Sequence, residues 1–251
     1  MRLSTRMIQL GLAAALALGS SFTMAAEKVL IVVTSHSQMG TTGEKTGYWM
    51  GEVTHPYKEL VDAGIEVDIA SIAGGKAPVD ERSLAEADAT NQWFMANNQH
   101  NTKLQQTLKL ADLTASEYKA VLFAGGHGTM WDFPQDKVLQ QFAADIYQNN
   151  GIVAAVCHGP AALLNIKLAD GRYLIAGKQV TGFTNAEEEQ VKLTQVVPFS
   201  LQDQLVQRGA HFNAAANWQA KVVVDQRLVT GQNPQSAAAV GQAMVSLLKA
   251  K

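Results

Sequence analysis

Three short apolar runs constrain the architecture more than anything else in this chain: residues 28–34 (KVLIVVT), 120–124 (AVLFA) and 152–156 (IVAAV). Each is too short for a buried helix and lacks the alternation of a half-exposed strand. A strand that is apolar on both sides needs cover on both sides, as in a parallel sheet between two helical layers. The segments between them supply that cover. Residues 52–63 have helical spacing and stop at Gly64, and residues 137–147 form an amphipathic helix ended by Asn149, Asn150 and Gly151. Residues 65–70 (IEVDIA) add an alternating strand. Further along, 159–164 reads as a helix start, 172–175 and 179–181 as short strands, and 198–209 as containing a helix. Residues 221–225 and 228–230 form a hairpin turning near Gln226, and 236–249 is a closing helix. The expected fold is α/β: a single-domain three-layer sandwich with a mostly parallel central sheet. Residues 74–106 are rich in Asn, Gln and Ala, carry no clear period, and read as an insertion: either a lid or interface, or a surface excursion anchored by aromatics of the Trp93-Phe94-Met95 stretch.

The N-terminus has a different character. Arg2 and Arg6 precede an uncharged, Ala- and Leu-rich run that closes on the small residues Ala25 and Ala26 before the first acid, Glu27. This is the layout of a secretory signal peptide over residues 1–26, cut near Ala25 or Ala26. It places the mature chain, 27–251, in the periplasm or outside the cell; an uncleaved membrane anchor is the rival reading. A formal charge of −2 with scattered Lys and Arg argues against nucleic-acid binding. The single cysteine, Cys157, excludes an intramolecular disulfide and any multi-cysteine metal centre. His36, His55, His100 and His211 show no helical i, i+4 ligand pair, so neither a metal nor another cofactor is expected.

Chemistry concentrates at the ends of two of the strands. Cys157 follows the 152–156 run directly and precedes His158, Gly159 and Pro160. A side chain at such a strand-to-helix corner projects over the C-terminal sheet edge, where a helix N-terminus favours the thiolate. Gly125, Gly126, His127 and Gly128 follow the 120–124 run. Glycines there let the backbone approach a ligand, and the Gly126 and His158 amides suit charge developing on an oxygen. Glu52 opens a helix soon after the first strand and could project toward the same edge as a proton carrier, although a Glu in a first helical turn is more often a partner of the helix dipole and the sequence by itself does not place it near Cys157. Glu187 and Glu188 are the nearest acids able to orient His158, although on pattern alone an acidic first helical turn capped by Asn185 is the better account of them.

These motifs resemble the ThiJ/PfpI superfamily, which has the class I glutamine amidotransferase-like, flavodoxin-like fold, and within it the branch of glutathione-independent glyoxalase III and its heat-shock chaperone relatives. The resemblance rests on Thr46-Gly47-Tyr48-Trp49 with Glu52, the stretch from Gly125 to Asp132, Val156 to Pro160, Thr181-Gly182-Phe183 with Glu187 and Glu188, and Leu228 to Pro234. It implies Cys157 as nucleophile, Glu52 paired with it, His158 as the triad histidine and Glu188 as the acid orienting that histidine. Gly125, Gly126, His127 and Trp131 would form the oxyanion and substrate-binding wall. The implied activity converts a small 2-oxoaldehyde such as methylglyoxal to a 2-hydroxy acid, with no glutathione or metal, in a homodimer. Two rival functions are a stress-response holdase or redox sensor acting on unfolded client proteins, and a cysteine amidase or peptidase.

Overall fold

The computed structural model describes residues 27–85 and 87–250, so the expected leader at 1–26 lies outside the described residues. In chain order the elements are β1 (Lys28–Val33), α1 (Met50–Asp62), β2 (Glu66–Ser71), α2 (Ala89–Ala96), α3 (Asn98–Gln105), β3 (Leu108–Lys109), β4 (Ala120–Phe123), α4 (Thr129–Asp132) and α5 (Lys137–Gln148). They continue with β5 (Ile152–Val156), β6 (Gln179–Val180), α6 (Asn185–Gln190), α7 (Leu201–Gln207), β7 (His211–Phe212), β8 (Val222–Asp225), β9 (Leu228–Gly231) and α8 (Ala237–Lys249). The main sheet has seven strands in the order β3-β2-β1-β4-β5-β9-β8. Every pairing in it is parallel except β8 with β9.

The central strands β4 and β5 are buried at every position, and β1 at all but Lys28, as continuous apolar runs require. From β1 the chain crosses through α1 to β2 on one side; from β4 it crosses through α5 to β5 on the other. Right-handed crossovers in opposite directions put α1 and α5 on opposite faces, and α8 packs beside α1. The strand order therefore reverses between β1 and β4. A crevice opens there at the C-terminal strand ends, where ligands of open α/β sheets sit.

Several local expectations change. Residues 172–175 form no strand; Tyr173 makes only an isolated bridge to Lys167. The helix expected after Cys157 is a 3-10 segment, Gly159–Leu163, with Pro160 in its first turn. The 74–106 segment holds a short 3-10 turn and two helices, started by the Asp88 and Asn97 side chains, which accept backbone N–H groups of α2 and α3. Within it Phe94 is fully buried, edge-on to Tyr57 of α1, while Met95 is exposed. The hairpin forms as expected, with Gln226 in the left-handed region. Among the described residues no helix is long and apolar enough to cross a membrane.

Candidate active site

Cys157 sits at the end of β5 with φ +60, a conformation that a non-glycine residue holds only when its surroundings impose it. They do so here through both backbone groups. The Cys157 N–H donates to Gly231 O at 2.9 Å and its carbonyl accepts the Phe183 N–H at 2.8 Å. Gly159 has no room for a Cβ, which would strike the Phe123 carbonyl. The strained corner aims the sulfur into a cleft of about 490 Å³ lined by Trp49, Gly126, His127, His158, Phe183 and Trp218, among others. Although the residue is 96% covered, the sulfur therefore faces the cleft.

The sulfur lies 3.3 Å from His158 Nδ1. The other ring nitrogen, Nε2, is 2.7 Å from Glu188 Oε2. Burial alone would raise the Glu188 carboxyl, but His158 and His127 outweigh it and hold the group well below the usual carboxylate range. Glu188 is therefore an anion, His158 Nε2 donates to it, and Nδ1 is left to face the thiol. Glu188 comes from the first turn of α6, whose N-cap is Thr184 rather than the expected Asn185. Thr184 and Glu187 form a reciprocal capping box. Glu187, fully buried, points away from His158. It accepts the Trp218 N–H, the Asn233 and Gln232 side-chain amides, and both polar hydrogens of Thr184. Of the two acids left open by the sequence, Glu188 meets His158 and Glu187 braces the loops around it.

His127 lines the cleft as expected and also joins the charged network behind it. Its Nε2 lies 2.9 Å from Glu188 Oε1, so one carboxylate serves two histidines whose rings are 4.0 Å apart. Its Nδ1 lies 3.3 Å from Arg82 Nη2. A guanidinium only donates, so Nδ1 must accept and Nε2 must carry the proton. Burial, with His158 as neighbour, lowers the His127 pKa to about 4, which agrees with this neutral tautomer. Arg82 is itself clamped by the buried Asp80 through Nε at 2.9 Å and Nη2 at 2.6 Å. No short motif flags Asp80 or Arg82; only their place beside the glycine loop gives them a role.

Glu52, in the first turn of α1, is fully buried on the other side of the sulfur. Its Oε2 accepts the Gly125 N–H at 2.8 Å. Burial raises its pKa to about 8, against smaller opposing effects of Cys157 and Gly125. Its Oε1 has no nitrogen or oxygen partner and is the atom left to carry the proton toward the thiol. Burial likewise pushes the Cys157 thiol well up, with Glu52 adding to the rise. This burial opposes the thiolate that a helix N-terminus favours. The sulfur faces the cleft but is largely shielded from bulk water, and a single 3-10 turn offers only a short dipole against that.

The expected wall is split. Gly126, with φ +103, lines the cleft; a Cβ there would run into the Gly47 carbonyl. Among the described residues no acceptor takes its N–H, which leaves it free for an oxygen beside the sulfur. Gly125 does not line the cleft but holds Glu52. Trp131 lies outside the cleft lining and stacks on His36 at 5.1 Å, so a substrate-binding role finds no contact to rest on.

His127, His158 and Glu188 could in principle take a divalent ion, since their ligand atoms lie within 4.8 Å of one another. The chemistry argues otherwise. A metal on His127 Nε2 would force the proton onto Nδ1, against the Arg82 donor.

The profile of the DJ-1/PfpI family matches residues 27–247. The chain belongs to the DJ-1/PfpI family. It is 35% identical over 241 residues to the glutathione-independent glyoxalase HSP31 of Saccharomyces cerevisiae, covering 90% of this chain and all of that protein. The structure of glyoxalase III from Candida albicans superposes with a TM-score of 0.83 at 31% identity, over 88% of this chain and 97% of that one. That of the Francisella tularensis Rapid Encystment Protein 24 KDa superposes at 0.86 with 46% identity, over 88% and 99%.

Proposed function

We propose that this DJ-1/PfpI protein is a glyoxalase III-like enzyme that converts a 2-oxoaldehyde, typified by methylglyoxal, to a 2-hydroxy acid by cysteine chemistry without glutathione. One observation carries the reading: the only sulfur of the cleft lies 3.3 Å from a histidine whose far nitrogen is held 2.7 Å from an anionic carboxylate, with a second, protonated carboxyl behind it. The names of the relatives, glutathione-independent glyoxalase and glyoxalase III, support the same activity.

In this reading His158 takes the thiol proton as sulfur attacks the aldehyde carbon, and Glu188 stabilises the imidazolium that forms. The new C1 oxygen faces the free Gly126 amide and the His158 amide, then receives the proton back as the hemithioacetal. His158 next removes the C1 hydrogen while Glu52, protonated at neutral pH, gives its proton to the C2 oxygen. Return of the carbon-borne proton to C2, and of the C1 hydroxyl proton to Glu52, leaves a thioester. Water then hydrolyses it to lactate and free thiol. No other reactant is consumed. The test is lactate formation from methylglyoxal by residues 27–251 without glutathione, beside Cys157→Ala; equal rates in the two proteins would eliminate the mechanism.

The layout of residues 1–26 supports export with cleavage near Ala25 or Ala26, and a homodimer is what the family resemblance implies. Cell fractionation and sedimentation of the mature chain check these two points. Placement in the cytosol, or a monomer at micromolar concentration, would remove them.

A further inference from the structure

The cleft is too large for the substrate that gives the activity its usual name. Methylglyoxal, at the ~30 Å³ that a water molecule takes up in the liquid for each heavy atom, fills roughly 150 Å³. The cleft offers about 490 Å³. Its lining beyond the reactive groups is chemically selective. Aromatic walls come from Trp49, Phe183 and Trp218. Asn91, only 5% exposed, uses its Oδ1 to accept the Thr54 hydroxyl. Its Nδ2 has no acceptor among the described residues, yet it is not sealed and so opens on the cleft. The Gln235 amide, also lining the cleft, is likewise unengaged, and so is Arg82 Nη1. The Asn91 side chain is fixed by its Thr54 contact with its N–H groups turned to the cleft, and Arg82 and Gln235 stand exposed at its edge, so the three donors are positions for an incoming acceptor. Apolar ring faces with separate, uncommitted donors suit a hydroxylated carbon chain better than a methyl group.

Space is kept open at Gly51 of α1. A Cβ there would meet only the His55 ring, at 3.8 and 3.9 Å, and the residue lines the cleft. A larger side chain would therefore grow into the cleft without disturbing backbone, and the first turn of α1 places no demand on Gly51 that only glycine can meet.

We propose that the cleft is built for a 2-oxoaldehyde with a polyhydroxylated tail, a sugar-derived dicarbonyl of about six carbons. Its aldehyde end lies at Cys157 and its hydroxyls reach Asn91, Arg82 and Gln235. The inference rests on the glyoxalase reading and names its substrate class. The chemistry balances in the same way: thiol adds to C1, the C1 hydrogen moves to C2, and one water hydrolyses the thioester to a polyhydroxylated 2-hydroxy acid.

The experiment compares kcat/KM for 3-deoxyglucosone and methylglyoxal in the mature chain, in Gly51→Leu and in Asn91→Asp, which keeps the acceptor to Thr54 and removes the donor. Product acids are quantified by mass spectrometry. The expected result is a ratio favouring the six-carbon probe in the wild type, falling about tenfold or more in each variant. Wild-type turnover of methylglyoxal with a tenfold preference for it, or variants that change both substrates equally, overturns the inference and leaves the glyoxalase reading standing. Turnover of neither substrate overturns both. A circular-dichroism melt of each variant shows whether it has folded.

Discussion

Glu52→Gln is expected to stabilise the protein as pH rises and to stop turnover in the same variant. The Glu52 carboxyl is raised from 4.5 to about 8 because it is wholly buried. Between those values the folded chain holds a proton that the unfolded chain has released, so wild-type stability falls as pH rises through this window. At 1.36 kcal/mol for each pH unit of displacement, the loss between pH 5 and pH 8 comes to about 3 kcal/mol. Glutamine has the shape of the protonated acid. Its oxygen can accept the Gly125 N–H, its NH2 can face the sulfur, and it takes up no proton on folding. The other titrating groups are common to both proteins and largely cancel in the difference. Urea unfolding at pH 5, 6, 7 and 8 therefore reads the displacement directly. The midpoint of Glu52→Gln should move ahead of the wild type by about 1 M between the ends of the range, taking a slope of ~3 kcal/mol per M for a chain of this size. Wild-type turnover should decline above about pH 8, as the acid that protonates the C2 oxygen ionises. A stability difference flat from pH 5 to pH 8, or one shrinking with pH, would refute a buried, protonated Glu52.

The Glu188 carboxylate, held below the usual range by two histidines, makes the opposite prediction. Its stabilisation is present above the ordinary glutamate pKa and is lost as pH falls. Glu188→Gln should therefore lower kcat by about 100-fold, with a stability deficit that is largest near neutrality and closes in acid by denaturant titration. In Arg82→Gln the His127 pKa should climb from about 4, because a nearby positive charge and the donor fixing its tautomer are gone; imidazole nitrogen NMR reads this, and an unmoved value contradicts the assignment. Gly126→Ala should cost ~3 kcal/mol in urea unfolding or fail to fold, since φ +103 and the Gly47 carbonyl leave no place for a methyl group.

The central sheet was readable because β1, β4 and β5 are covered on both sides and had no freedom to alternate. The same physics explains what was missed. The strand expected at 179–181 is β6, but its two-residue partner β7 was not foreseen, because no periodicity exists over so short a span. Helices α2 and α3 hide in an Asn- and Gln-rich segment whose apolar contacts are few, although Asp88 and Asn97 were available as cap signals. Cys157, His158, Glu52 and Glu188 come together in space; the first two sit where a strand end placed them, while Glu52 and Glu188 arrive from helices whose approach to the sulfur has no local pattern. Burial works against the expected thiolate, because a corner that turns a side chain to a cleft still removes most of it from bulk water. The contacts of His127 with Glu188 and Arg82 are long-range and carry no local pattern. Trp131 belongs to the same motif as His127, yet lies outside the cleft against His36, so adjacency in a motif did not translate into adjacency at the site.

Intact-mass and peptide-mapping measurement after rapid acid quench of Glu188→Gln with methylglyoxal tests the central claim most directly. That variant keeps the sulfur but slows the proton transfers that clear it. The account predicts a chain heavier by the mass of one substrate molecule, with the increment on the peptide containing Cys157. An unmodified Cys157 peptide during turnover, or an increment found only on lysines and arginines, would contradict it.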